Sequence, residues 1–200
     1  MGASGKVKHG SSPASLPYAT YSDDSHHEVG DTPDLSFVRE WAYVLASSDA
    51  DAKLKAQADY VCEGVTGHHT DINNAISYVT ESDVKGAVLL VGNKFYLSGK
   101  VTLAGNCAVI GAGWHRGAPT LYLVSGSNPA DIIGVATGAA YSDITLMNLL
   151  IDGNRSGNTD GRGINATGFN NFNLKSVIVQ NGQTITITYS SVPSWTWYGL

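Results

Sequence analysis

The densest run of side chains able to do chemistry is Asp152-Gly153-Asn154-Arg155-Ser156-Gly157-Asn158-Thr159-Asp160-Gly161-Arg162. It places two carboxylates, Asp152 and Asp160, among two guanidinium groups, Arg155 and Arg162, with Asp131 and Asp143 upstream. Acids and cations at such density can share proton transfer, so Asp152, Arg155, Asp160 and Arg162 form the candidate catalytic set. Two other readings compete. Asp152, Asn154 and Ser156 have the spacing of the first half of a calcium loop, yet Gly163 stands where its twelfth-position Glu belongs. No cofactor is therefore expected, with calcium as the alternative. The same composition also suits a long turn held by Asn and Gly, in which Arg155 pairs with Asp152 or Asp160.

Other candidates are sparser. Trp114 and Tyr122 could stack on sugar rings, although Trp114 could equally cover a strand edge. His26-His27 and His68-His69 are adjacent pairs without a third ligand at a useful spacing, so they read as surface turn residues and no metal site is expected. Gly111-Ala112-Gly113 lacks the third glycine and following helix of a phosphate loop, and reads as a corner. Cys62 and Cys107 read as two buried thiols, or as a pair if the preceding segment folds back.

The elements that must position these groups are short apolar runs. Val88-Leu89-Leu90-Val91, Val101-Thr102-Leu103, Leu121-Tyr122-Leu123-Val124, Ile144-Thr145-Leu146 and Ile185-Thr186-Ile187 are separated by Asn, Gly and Asp. Taking Val101, Leu121, Ile144, Ile164 and Ile185 as one column gives steps of 20, 23, 20 and 21, the mark of a stacked repeat. A closer match sets Ile144, Leu146, Leu149, Ile151 and Asp152 against Phe172, Leu174, Val177, Val179 and Gln180 at a constant offset of 28. Alternation puts one face of each run inward, and Gly and Asn supply corners with positive φ. The expectation is an all-β, right-handed parallel β-helix.

Four stretches divide the chain. Residues 1–35, rich in Ser, Gly, Pro, Asp and His, read as a flexible arm that Leu16, Tyr18 and Tyr21 could anchor on a neighbouring subunit. Residues 36–82 form an entering segment. Phe37 to Ala46 suits a strand or short helix, Ser47-Ser48-Asp49 can cap a helix through Ala50 to Ala58, and Asp59 to Cys62 reads as a strand. Ile72, Ala75, Ile76 and Val79 then give a helix over about 70–80 that caps the first coil. Residues 83–182 are the coils. Residues 183–200 carry Trp195, Trp197 and Tyr198, either folded over the last coil or packed into a partner.

Composition narrows the function classes. A net charge of -5 without a basic run argues against nucleic acid, and no stretch reaches the ~20 apolar residues of a membrane span. Lys6 and Lys8 precede no apolar stretch, so no cleaved leader is expected.

Ala50 to Ile76 (ADAKLKAQADYVCEGVTGHHTDINNAI) resembles the entering region of pectate-lyase-like right-handed β-helix proteins, in which an ADYVCDG motif precedes an amphipathic capping helix. Val101-Thr102-Leu103, Val109 to Gly113 and Ile144 to Asn154 are similar to later coils of that superfamily, and the resemblance runs from about 47 to 182. It implies polysaccharide lyase or hydrolase activity in an outer groove, or a tailspike or surface-protein role without catalysis. A hydrolase would need two carboxyls at a set separation, and the Asp-Asp, His-Gly and Arg-x-Lys patterns of the polygalacturonase-like hydrolases are absent. A lyase would need Arg or Lys as base and a cation. The leading expectation is a non-catalytic structural or host-attachment module of a virus particle or cell surface. It would form a homotrimer or larger assembly, touching other virion or surface proteins and a surface polysaccharide. The alternatives are an enzyme acting on acidic polysaccharide, or a glycan-binding module using Trp114 and Tyr122.

Overall fold

Nearly every short apolar run becomes a parallel strand. The computed structural model describes residues 41–81, 86–113, 117–135, 143–169, 171–182 and 185–189, all within one unit, Pro33–Leu200. The arm over 1–35 with Tyr18 and Tyr21, Trp114, and the tail residues Trp195, Trp197 and Tyr198 lie outside the described residues.

One sheet has eight strands. It contains β1 (Ala42–Ala46), β2 (Tyr60–Val61), β3 (Ala87–Val91), β4 (Lys94–Leu97), β6 (Cys107–Gly111), β7 (Thr120–Leu123), β9 (Ile144–Asp152) and β11 (Phe172–Gln180). Their order is β2-β1-β3-β6-β9-β7-β4, with β11 attached to β9. A second sheet, β12-β10-β8-β5, is formed by β5 (Val101–Leu103), β8 (Asp131–Val135), β10 (Arg162–Phe169) and β12 (Ile185–Tyr189). Helices α1 (Ala52–Gln57) and α2 (His68–Glu81) complete the described elements.

The offset of 28 is the register of β9 with β11, where Ile144 pairs with Phe172 and Asp152 with Gln180. The proposed single column is not observed. Val101 stands in register with Ile133, Ile164 and Ile185. Leu121 belongs with Phe95 and Ile151, and Ile144 with Cys107. Local periodicity marks which residues point inward, but not which strand lies alongside.

The all-β right-handed β-helix is corrected as well. The molecule is of α/β type, with parallel strands in a curled half-barrel sheet, a second parallel sheet and two helices. The first half of β9 pairs with β6 and its second half with β7, so ladders that a regular coil would keep apart fuse into one sheet. The bend lies at Asn148, and at Ser176 opposite it in β11, both with positive φ (53° each). Such a residue turns the strand without ending it. Gly111 allows the close approach, because a Cβ there would collide with the Asn148 carbonyl oxygen.

Three inward rows meet in one core. Val88, Val109 and Leu146 form one, Phe95, Leu121 and Ile151 another, and Val101, Ile133 and Ile164 the third. On the opposite face of β1 and β3, Ala42, Val44, Ala46, Ala87, Leu89 and Val91 are also buried, with Leu54 of α1 against them. Burial on both faces explains why these strands read as unbroken apolar runs.

Helix α2 presents the expected stripe, with Ile72, Ala75, Ile76 and Val79 buried in the main core. It also closes two sheet edges. The Asn73 Oδ1 accepts the Thr102 N–H (2.7 Å) while its Nδ2 donates to the Lys100 carbonyl (3.0 Å). His68 does the same for β4, its Nδ1 accepting the Tyr96 N–H at 3.1 Å and its Nε2 lying 3.2 Å from the Glu63 carbonyl. His68 is thus fully buried rather than a surface turn residue. The cap of α1 is Asp51, whose side chain accepts the Leu54 N–H. Asp49 is committed elsewhere, to the N–H groups of Asn93 and Lys94.

Cys62 and Cys107 are free and buried. Burial pushes the Cys107 thiol up to about 12, and burial with Asp71 beside it pushes Cys62 up as well. Neither thiol should react with Ellman's reagent at pH 8 in the folded protein, and both should react in denaturant. Prompt reaction of either in the native state would contradict the core described. Leu146→Ala, which empties one position of the first row, should cost about 3 kcal/mol in urea unfolding, and a loss near zero would mean the row is not packed.

Candidate functional site

Alternation along β4, β7, β9 and β11 turns every second residue outward, and parallel register stacks those residues into rows. One outward row is Tyr96, Tyr122, Asp152 and Gln180, and its neighbour is Lys94, Thr120, Leu150 and Ile178. The inward residues between them, Phe95, Leu121 and Ile151, are fully buried and hold the strands flat against the core. The outward face therefore has a rigid floor.

The rings of Tyr96 and Tyr122 meet edge to face, with centroids 6.1 Å apart and planes 80° apart. Lys94 crosses them, its Nζ 4.6 Å from the centroid of Tyr122 and 5.8 Å from that of Tyr96. His68 packs edge-on against Tyr96 at 5.7 Å, in addition to binding its backbone. Tyr96 is thereby fixed from behind by a residue 28 positions earlier.

Asp152 is anchored by donors. Its Oδ1 accepts the Asn154 N–H (2.9 Å) and the Asn181 side chain (3.0 Å), and its Oδ2 accepts from the Gln180 side chain (2.9 Å). Burial alone would raise its pKa, but these hydrogen bonds, helped by the charge of Lys94, outweigh it and hold the carboxyl below its ordinary value. The result is a fixed carboxylate that can still accept a hydroxyl. Among the described residues no three His, Cys, Asp or Glu side chains gather as a metal-binding group.

The structure brings Tyr122 and Asp152 together but disperses the rest of the candidate catalytic set. Arg155 is exposed in the turn after β9. Asp160 accepts the N–H of Gly161 beside it. Arg162 lies on the second sheet, its Nε 2.7 Å from Asp131 Oδ1, while Asp131 Oδ2 accepts from Asn165. The reason is geometric, since residues 153–161 carry the chain from one sheet to the other.

That turn is held by its own amides, as its composition suggested. Asn158, only 7% exposed, accepts the N–H groups of Ser127 (3.0 Å) and Asn128 (3.3 Å) and donates to the carbonyls of Gly153 and Asn154. Asn128 reciprocates, its Oδ1 accepting the Thr159 N–H at 2.7 Å. The offset of 28 already sets Gln180 against Asp152, but it marks neither Lys94 nor Tyr96. Their only signal is register, which places them beside Thr120 and Tyr122 once strands are paired.

No protein-family model matches the chain, and neither a curated protein nor a solved structure matches it.

Two outcomes follow from this geometry. Asn158→Ala removes acceptor bonds to the neighbouring turn and donor bonds within its own turn and should cost about 2 kcal/mol in denaturant unfolding; an unchanged midpoint would mean the turns hold without it. Asp152 has a depressed folded pKa, so its contribution to stability is present above the unfolded carboxylate value of about 3.9 and is lost as pH falls through the folded one. Between pH 7 and pH 3 the stability of Asp152→Asn should therefore fall less steeply than that of the wild type, and superimposable curves would argue against the anchoring.

Proposed function

We propose that this chain is a non-catalytic attachment module, carried on a virus particle or cell surface, that holds a saccharide against the outward face of β4, β7 and β9. The observation that carries this reading is the row Tyr96, Tyr122, Asp152 and Gln180 on its rigid floor. Aromatic faces take the C–H surface of a pyranose, while fixed polar groups beside them choose among hydroxyls. Asp152 Oδ2 and the tyrosine hydroxyls accept, and Lys94 and Gln180 donate. Lys94 has a flexible four-carbon stem, so a sugar displaces it from Tyr122 and gains its ammonium as a donor.

Catalysis has less support. A general acid must hold a proton, and three donors keep Asp152 ionised. Asp160 and Arg162 engage other partners. The virion or cell-surface setting and self-assembly as a trimer belong to this reading on the strength of the aromatic residues of the flanks, Tyr18, Tyr21, Trp195, Trp197 and Tyr198. Sedimentation would read that assembly directly.

Glycan-array screening followed by calorimetry tests the reading. Tyr122→Ala and Tyr96→Ala should each weaken the best ligand about tenfold, about 1.4 kcal/mol, with circular dichroism unchanged and no release of sugar fragments. Unaltered affinity in both variants, or turnover of the bound glycan, would overturn it.

A further inference from the structure

Two aliphatic side chains face outward beside the tyrosine row. They belong to the row Lys94, Thr120, Leu150 and Ile178, which runs across β4, β7, β9 and β11. Leu150 is half-buried and Ile178 is 52% exposed, and neither joins the core. Single exposed aliphatic residues are ordinary, but these two are cross-strand neighbours and make a small apolar patch. Asp152 and Gln180 follow two positions later on the same strands, so the patch borders the fixed carboxylate.

The two rows form a grid whose spacing the sheet sets. Strands lie about 4.8 Å apart, and successive outward residues about 6.6 Å apart along a strand. A pyranose resting on Tyr122 therefore has Asp152 at its flank, and a substituent reaching back along β9 arrives over Leu150. Lys94 stands on the other side, its Nζ 4.6 Å from the Tyr122 centroid. Across the sheet the order is thus a donor on β4, a ring platform on β7, and a fixed acceptor with aliphatic side chains on β9 and β11. A trans amide carries the matching pattern, because its N–H and its acyl carbon project to one side and its carbonyl to the other.

We infer that the saccharide held on this face carries an acetamido group, whose N–H donates to Asp152 Oδ2, whose carbonyl accepts from Lys94 and whose methyl covers Leu150 and Ile178. This rests on the reading of the tyrosine row as a saccharide platform. Asp152 Oδ2 accepts from the Gln180 side chain at 2.9 Å and, as a carboxylate oxygen, has a second lone pair for an N–H. Other substituents fit less of the grid. A hydroxyl leaves the aliphatic patch wet, and an ammonium group meets Lys94. A carboxylate pairs with Lys94 but stands against the ionised Asp152.

Calorimetry with pairs of oligosaccharides that differ only in acetamido against hydroxyl at C2, in gluco and in galacto configuration, tests this. The acetamido member should bind about tenfold tighter in at least one configuration. The double variant Leu150→Thr, Ile178→Thr should cut that preference to about twofold, with circular dichroism unchanged, because outward strand positions accept Thr. In the wild-type protein, Overhauser contacts from the acetyl methyl to the methyls of Leu150 and Ile178 give a readout that no variant's folding affects. Equal affinity within both pairs, absence of those contacts, or a preference that the double variant keeps in full would overturn the inference and leave the saccharide platform standing. Failure of every sugar to bind would overturn both.

Discussion

A parallel sheet exposes unpaired N–H and C=O groups along each free edge, and much of this structure follows from how those edges are closed. Helix α2 closes two of them with side chains. Asn73 satisfies the edge of β5 and His68 that of β4, while the apolar stripe between them enters the core. The helix therefore does more than cover apolar surface. It supplies hydrogen-bonding groups that a purely apolar cover could not. His68 is buried for this reason, and its ring also fixes Tyr96 at the start of the outward row.

The bend at Asn148 and Ser176 has the next largest consequence. A residue with positive φ inside a long strand lets one half of β9 follow β6 and the other half follow β7. That change of partner sets Tyr122 beside Asp152, with Gln180 on the other side of Asp152. Asn is suited to this conformation, whereas Ser176 adopts it in register with Asn148, held by the long pairing on either side.

The polar run 152–162 shows how similar side chains acquire different duties. Asp152 sits at the end of a strand, where three donors converge and its charge is fixed. Asp160 turns on the backbone beside it, and Arg162 begins a strand of the other sheet, where Asp131 meets it. Asn158 and Asn128 stitch the turn to its neighbour by amide bonds in both directions. The density that suggested a reaction centre is mostly the chemistry of a crossing between sheets. What remains on the outer face is an aromatic row with balanced charge.

By itself the sequence determined features that depend on neighbours along the chain. Alternation in Ile144 to Ile151 marks the inward residues, the stripe Ile72, Ala75, Ile76 and Val79 marks the buried side of α2, and the offset of 28 gives the β9–β11 register. Tertiary structure alone decided the partners of the other strands. Val101, Leu121 and Ile144 look equivalent in the sequence yet belong to three different rows, because pairing depends on where each corner redirects the chain. For the same reason Lys94 and Tyr96 could not be seen as neighbours of Asp152, nor His68 as a buried support. Their contacts join residues 28 or more positions apart, and nothing in the local period records them.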